Sequence, residues 1–453
     1  MFISSQSLIF TIALLTESAY GAAVNLQLVL RNGNCTSLSS GLMCGKAVTW
    51  GALTPYHAAS SPYADPKIDS ECKVTFAQVL SRHGSRYPTR DIGEKLEATL
   101  KKIQSKATSY SPKTEFIKKF KYDLQSKYEL LTEYGENELY QSGQTFFSRY
   151  KDITKDNDPY VRIAGQTRVI DSGNKFVKGF TSEKEKAGGK VSIQEPMVVP
   201  EGPGFKNTLK HGTCKAFETG KYSKSDKEPL KTWNSVFAPP IVERLKKELP
   251  GADINEEDVM SLLTICPFYT VLRGDISEFC RLFTPEEFKQ FNYYQTLRKY
   301  YRYGPGNDLG PAQGIGFVNE LIGRLTNTEV KDSTSTNKTA TGPVDKKLYA
   351  DFTHDNDMVA VFSALQLFKG MKNLDPKKID GEDKFNTADL VPFASRMYVE
   401  KLKCGGEDEL VRVLINERVM KLNCKEKKFG GCTVKDFIDG LEFARKGGNW
   451  ASC

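Results

Sequence analysis

Val74-Thr75-Phe76-Ala77-Gln78-Val79-Leu80-Ser81-Arg82-His83-Gly84-Ser85-Arg86-Tyr87-Pro88-Thr89 is the stretch that decides the fold. Its first half is rich in β-branched and aromatic residues and free of Pro and Gly, which predicts a strand. Gly84 and Pro88 then break the run. Arg82, His83 and Arg86 therefore fall on the turn leaving the strand's C-terminal end, the edge at which open α/β sheets bind ligands. Two guanidiniums and an imidazole so close together repel one another unless an anion lies between them. Taken alone, the cluster also fits a solvated basic turn.

The pattern recurs downstream. Leu348-Tyr349-Ala350-Asp351-Phe352-Thr353 is a second strand-like run, and it ends in His354-Asp355-Asn356-Asp357. Met358–Leu365 follows, apolar and long enough for a buried helix. A third run, Pro159–Ala164, ends in Gly165-Gln166-Thr167-Arg168, with a helical Asp171–Phe180 after it. Two of the chain's four histidines occupy such turns. His57 and His211 have no motif around them and read as structural.

Arg82-His83-Gly84-Ser85-Arg86-Tyr87-Pro88 matches the RHGxRxP signature of the histidine acid phosphatases, and His354-Asp355 matches their distal HD pair. Within that family the sequence resembles the fungal 3-phytase branch. Cys72–Thr89, Asn174–Phe180, Leu309–Gly314 and Asn319–Ile322 all read as that branch does, and the likeness covers nearly the whole chain. The resemblance implies an α/β fold, a phosphoglycerate-mutase-like sandwich with a central mixed sheet and a smaller, mainly α-helical domain. It implies stepwise hydrolysis of phytate through a phosphohistidine, with no metal and no cofactor. His83 is then the nucleophile and Asp355 the general acid, while Arg82, Arg86, Arg168 and His354 hold the phosphate. Asn356 supports the site, and Arg298 and Lys299 match positions where relatives carry cations facing the outer phosphates. The resemblance also implies the disulfides Cys35–Cys44, Cys72–Cys404, Cys214–Cys453, Cys266–Cys280 and Cys424–Cys432. Two positions depart from the pattern and bear on fine specificity and pH optimum. Ile92 stands where relatives have a lysine, with Arg90 and Lys95 nearby, and Lys210 stands where an acidic residue is common.

The residue types suit that chemistry. Phosphomonoesters resist attack because their negative oxygens repel nucleophiles, so a site must neutralise charge and align the attack. Guanidiniums are planar, permanently charged forks matched to phosphate oxygens. Close arginines lower the pKa of an imidazole from ~6.5, which keeps His83 nucleophilic in acid. Asp355 feels opposing influences: arginines lower its pKa, and bound phosphate raises it. The expectation is an acid-shifted pH profile.

Composition agrees. A chain of 453 residues with 39% hydrophobic content can bury a sizeable core. Leu8–Leu15 is a short apolar run and Ala19-Tyr20-Gly21 offers small residues for cleavage, so residues 1–21 read as a signal peptide and the product as secreted, with a cell-wall location also open. The ten cysteines include no C-x-x-C pair and suit an oxidising compartment. Asn34 and Asn337 open glycosylation sequons. The formal charge of +8 becomes +9 without Met1–Gly21, whose single charged residue is Glu17. That excess is dispersed: no basic arm argues for nucleic acid, and no apolar stretch is long enough to span a membrane. A small polyanionic substrate fits the field better.

Residues 22–180 and 340–453 are expected to form the catalytic α/β domain, with 181–339 a mainly helical cap. Residues 22–71 read as loops on the surface, Phe116–Tyr134 and Pro240–Leu249 as helices, and Lys331–Thr341 as an exposed loop. A broad acid phosphatase would keep the catalytic core but lack the outer cations. A non-catalytic inositol-phosphate-binding protein would be expected to have lost His83 or Asp355.

Overall fold

The structure, a computed structural model, describes residues 50–59, 66–202, 204–205, 207–335, 338–406 and 408–453. The expected leader, the implied Cys35–Cys44 pairing and both sequon asparagines lie outside the described residues. In chain order the strands are β1 (Cys72–Arg82), β2 (Tyr160–Ala164), β3 (Met197–Val199), β4 (Leu348–Thr353), β5 (Arg396–Cys404), β6 (Leu410–Ile415), β7 (Arg418–Val419) and β8 (Cys432–Thr433). They form one sheet in the order β3-β2-β4-β1-β5-β6-β7, with β8 on β6. Strands β3, β2, β4 and β1 run parallel, whereas β5 onward is antiparallel, the mixed sheet expected. The longer helices are α1 (Arg90–Lys106), α2 (Glu133–Arg149), α3 (Thr167–Lys186), α4 (Lys227–Glu248), α5 (Glu256–Arg273), α6 (Pro285–Arg302), α7 (Ile315–Thr326) and α8 (Asp355–Ala364).

Register makes the site. β1 and β4 pair in parallel with Arg82 opposite Thr353, so the next residues, His83 and His354, leave the sheet side by side. The His83 amide donates to Thr353 O at 3.2 Å. On the other flank β2 pairs with β4 and with β3, Ala164 standing opposite Val199. The turns after all four parallel strands thus open on one edge.

Every residue of β4 is buried, Asp351 included. A lone carboxylate there would cost several kcal/mol. Arg162 of β2 meets it at 2.7 Å and Arg324 of α7 at 2.6 Å, and Gln78 of β1 donates at 3.2 Å. Glu320 completes the cluster on Arg162 at 2.7 Å. Burial pushes the Asp351 carboxyl up, but the two arginines outweigh it and hold it below the usual range. The network joins β2, β4 and β1 at the register just described, and a slipped register would separate its partners.

Five expectations need correction or refinement. Phe116–Tyr134 is no helix: it holds short 3-10 turns at Glu115–Lys119 and Gln125–Lys127, and Glu129 has φ 70°. The helix starts only at Glu133, where the Thr132 side chain caps it by accepting from the Gly135 amide. Helix α4 begins well before Pro240, and Pro239 and Pro240 lie inside it. The start of the described chain is not surface loop: Trp50–Leu53 is buried, and Ala52 O accepts from Arg82 Nη1 at 2.5 Å. The stretch read as mainly helical holds β3 as well as α4–α7. The expected exposed loop at 331–341 ends with Ala340 O accepting from Arg162 at 2.7 Å.

Four of the five implied disulfides fall on described residues, and all four are present: Cys72–Cys404, Cys214–Cys453, Cys266–Cys280 and Cys424–Cys432. The first ties the start of β1 to the end of β5, opposite residues in the ladder.

Candidate active site

The turn after β1 is held from below by α2. Glu138 is buried and accepts from the Ser85 amide at 2.7 Å and the Tyr56 amide at 2.9 Å. Gly84 and Gly135 meet backbone to backbone: a Cβ on Gly135 would lie 1.9 Å from Ser85 O, and one on Gly84 2.3 Å from Gly135 O. The Gly84 amide donates to Ser172 Oγ of α3 at 3.1 Å, and Ser172 in turn donates to Arg168 O at 2.7 Å. One short chain of bonds therefore fixes His83 and Arg168 relative to each other.

His83 is buried, and its Nδ1 lies 2.9 Å from Gly84 O. A carbonyl oxygen only accepts, so Nδ1 carries the proton and the lone pair sits on Nε2. Burial, then the charges of Arg82, Arg168 and Arg86, hold the imidazole well below its usual range. The His354 ring stands edge-on to it, centroids 5.7 Å apart.

Arg82 is 1% exposed. Its Nη1 donates to Ala52 O and to Val391 O at 2.8 Å, Phe393 lies under the guanidinium at 4.5 Å, and Nη2 reaches Asp355 Oδ2 at 3.2 Å. Arg86 donates to Tyr87 O at 2.7 Å, and Arg168 meets Glu129 at 3.3 Å. Burial and the neighbouring Arg168 and Arg82 push Arg86 down to about 9. The buried Nε of all three arginines has no acceptor among the described residues.

Asp355 is the first residue of α8, where a helix favours negative charge. Burial pushes its carboxyl up, but Arg82 and Lys299 prevail and hold it well below the usual range. Lys299 differs from the expectation of a cation facing substrate. It is 7% exposed, and its Nζ donates to Asp355 Oδ2 at 2.7 Å and to Asn356 Oδ1 at 2.5 Å. Burial lowers it to about 8. Its neighbour Arg298 is exposed.

The turns bring Arg82, His83, Arg86, Arg168, His354 and Asp355 together. The His57 and His211 rings pair outside this group: His57 contacts Asp389 at 3.3 Å, and His211 contacts Glu218 at 2.6 Å while its amide donates to Asp357 of α8 at 2.5 Å. Sequence reasoning missed three acids. Glu138 supports the catalytic turn, Glu129 meets Arg168, and Glu201 meets His354 Nε2 at 3.0 Å. The signal for Glu201 was available, since Met197-Val198-Val199 before Pro200-Glu201-Gly202 is a short strand running into a turn.

The family model for the histidine phosphatase superfamily (branch 2) matches residues 73–416. The chain is 42% identical to Phytase A of Aspergillus oryzae over 99% of both chains. It is 41% identical to Phytase A of Aspergillus fumigatus, over 93% of this chain and 94% of the relative. The fold is similar to that of the phytase from D. castellii (TM-score 0.74, 22% identity, 92% of this chain and 90% of that one). It is also similar to Bifidobacterium longum multiple inositol polyphosphate phosphatase in complex with inositol hexasulfate (TM-score 0.65, 13% identity, 87% and 97%). The turns after β1 and β4 and the match across most of its length agree: this chain belongs to the histidine phosphatase superfamily, branch 2.

Proposed function

We propose that the protein is an acid phosphomonoesterase that strips phosphates stepwise from phytate, myo-inositol hexakisphosphate, through a phosphohistidine on His83. The observation that carries the chemistry is the Arg82 fork, which links the turn bearing His83 to the carboxyl of Asp355 at 3.2 Å. The substrate class rests on the Phytase A relatives, similar over nearly their full length.

In this reading the scissile phosphate enters among Arg82, Arg86 and Arg168, whose Nε–H groups lack protein acceptors among the described residues. The phosphate neutralises their mutual repulsion and offsets the negative charge that keeps nucleophiles away. His83 Nε2, unprotonated even in acid, attacks phosphorus in line, and the P–O bond to the inositol breaks. Asp355 delivers its proton to the departing alkoxide oxygen, then takes one from the water that cleaves the phosphohistidine. Asp355 must be protonated for the first step, and bound phosphate favours this by competing for Arg82. Lys299 sets how hard that proton is to load, and Asn356 holds Lys299 in place. Arg298, exposed beside them, is the cation suited to an outer phosphate. Residues 181–339 act as the cap over the cleft. The four disulfides and the N-terminal apolar run support export.

Turnover of phytate against 4-nitrophenyl phosphate at acidic pH, with His83→Ala as control, tests the proposal. Preference for phytate, abolished in the variant, supports it. Equal turnover of both esters marks a broad acid phosphatase, and binding without turnover marks an inositol-phosphate-binding protein.

A further inference from the structure

We propose that Glu201 is a positioning residue for phosphate: it grips His354 by Nε2 and supplies the counter-charge that lets the opposite nitrogen, Nδ1, carry a proton to a phosphoryl oxygen. The inference rests on His354 facing the scissile phosphate and goes beyond the roles given above.

Glu201 leaves β3 beside the turn after β2. Its Oε1 accepts from the Gln166 amide at 3.2 Å and from His354 Nε2 at 3.0 Å. Its Oε2 is buried with no donor among the described residues, and the side chain is 9% exposed. A buried acid at the rim of an anion site is unfavourable by itself, because it repels the ligand. Its position resolves the conflict. A carboxylate can only accept, so Nε2 of His354 must carry a proton. The second nitrogen then decides whether the ring donates to phosphate or merely accepts.

The charged and titratable groups facing His354 come from four elements. Asp357 lies on its own helix, Glu201 on the turn after β3, Lys210 on the segment bonded to the end of β4, and His83 on the turn after β1. Burial is the largest influence and keeps the ring below its usual range, while Glu201 and Asp357 act the other way. An arriving phosphate adds negative charge at the opposite nitrogen, which like Glu201 favours the protonated ring, and the ring takes up a proton as it binds. Glu201 also favours the charged form of Arg168, so the one carboxylate that holds His354 adds to the field at a second cation of the site.

The test compares the wild type with Glu201→Gln, which keeps size and an acceptor oxygen, and with Glu201→Ala. Competitive inhibition by orthophosphate is measured with 4-nitrophenyl phosphate as substrate across about pH 4 to 7. Calorimetry in buffers of differing ionisation enthalpy reads proton uptake on binding, and thermal unfolding is recorded for each variant. The wild type takes up a proton with phosphate. Glu201→Gln loses that uptake, and its phosphate affinity falls off about one pH unit lower, with thermal stability retained. Unchanged uptake and an unchanged pH profile in Glu201→Gln overturn the proposal, as does an Ala variant that binds phosphate with the wild-type pH dependence. Neither readout uses phytate, so an error over the substrate class leaves this result interpretable.

Discussion

Replacing Lys299 by Met separates two roles that one cation could play. Lys299 Nζ lies 2.7 Å from Asp355 Oδ2, and Arg82 Nη2 lies 3.2 Å from the same oxygen. Two buried cations thus share one carboxylate, and methionine keeps the unbranched stem of the side chain without its charged tip. The acid must hold a proton to protonate the leaving oxygen. Its pKa is depressed in the folded protein, so the protonated fraction falls as pH rises and the alkaline limb of the rate follows it. Removing Lys299 raises that pKa and moves the limb to higher pH. An opposite charge within ~4–6 Å is worth one to three pKa units. With Arg82 still in place the low end applies, so at a fixed pH on the limb the variant holds roughly tenfold more protonated acid than the wild type. The assay is kcat/KM against pH for phytate and for 4-nitrophenyl phosphate. The limb should move with phytate, whose alkoxide needs the proton, and much less with the aryl ester, whose phenolate leaves unaided. A raised KM for phytate with the limb unmoved would refute the reasoning and return Lys299 to the outer-phosphate role suggested by its sequence position.

Gly135→Ala, on α2 beneath the catalytic turn, places a methyl 1.9 Å from Ser85 O; displacing His83 by about 1 Å costs around 10²-fold in kcat, and a variant with full activity would contradict the packing. Asp351→Asn leaves Arg162 and Arg324 without their shared carboxylate, and denaturant titration should show a loss of about 3–5 kcal/mol; a loss within error of zero would show that the network does not pin the sheet. His83→Asn should stabilise the fold in acid. The native imidazole resists the proton that the unfolded chain accepts below pH ~6.5, so native stability falls with pH from there downward. The Tm advantage of the variant over the wild type should therefore grow between about pH 7 and pH 4, and a constant difference would show that His83 titrates normally.

Strands β1 and β4 were legible because each is a run of β-branched, aromatic and aliphatic residues without Pro or Gly that ends in a polar turn. Their adjacency was not, since a parallel register is set across hundreds of residues by groups such as Asp351 and Arg162 that look like ordinary charges in sequence. The expected helix at 116–134 is broken already at Phe120, where the backbone turns extended, and again at Glu129, whose left-handed backbone its residue type does not advertise. Lys299 was read as a cation for outer phosphates, but its Nζ meets Asp355 and Asn356 on a helix far along the chain, a meeting that sequence does not show. Glu201 lies just past a three-residue strand, Met197–Val199, whose run into a Pro-Gly turn was the one sequence signal for it.

The central claim is that His83 Nε2 attacks phosphorus while Asp355 protonates the leaving group. Asp355→Asn, mixed with 4-nitrophenyl phosphate at acidic pH and quenched within milliseconds into alkaline denaturant, tests it most directly, because the aryl group leaves without the acid and the intermediate accumulates. The account predicts close to one phosphoryl group per chain, mapped to Nε2 of His83 and absent from the His83→Ala control. Phosphate released with no label on His83, or label carried by another side chain, would contradict it.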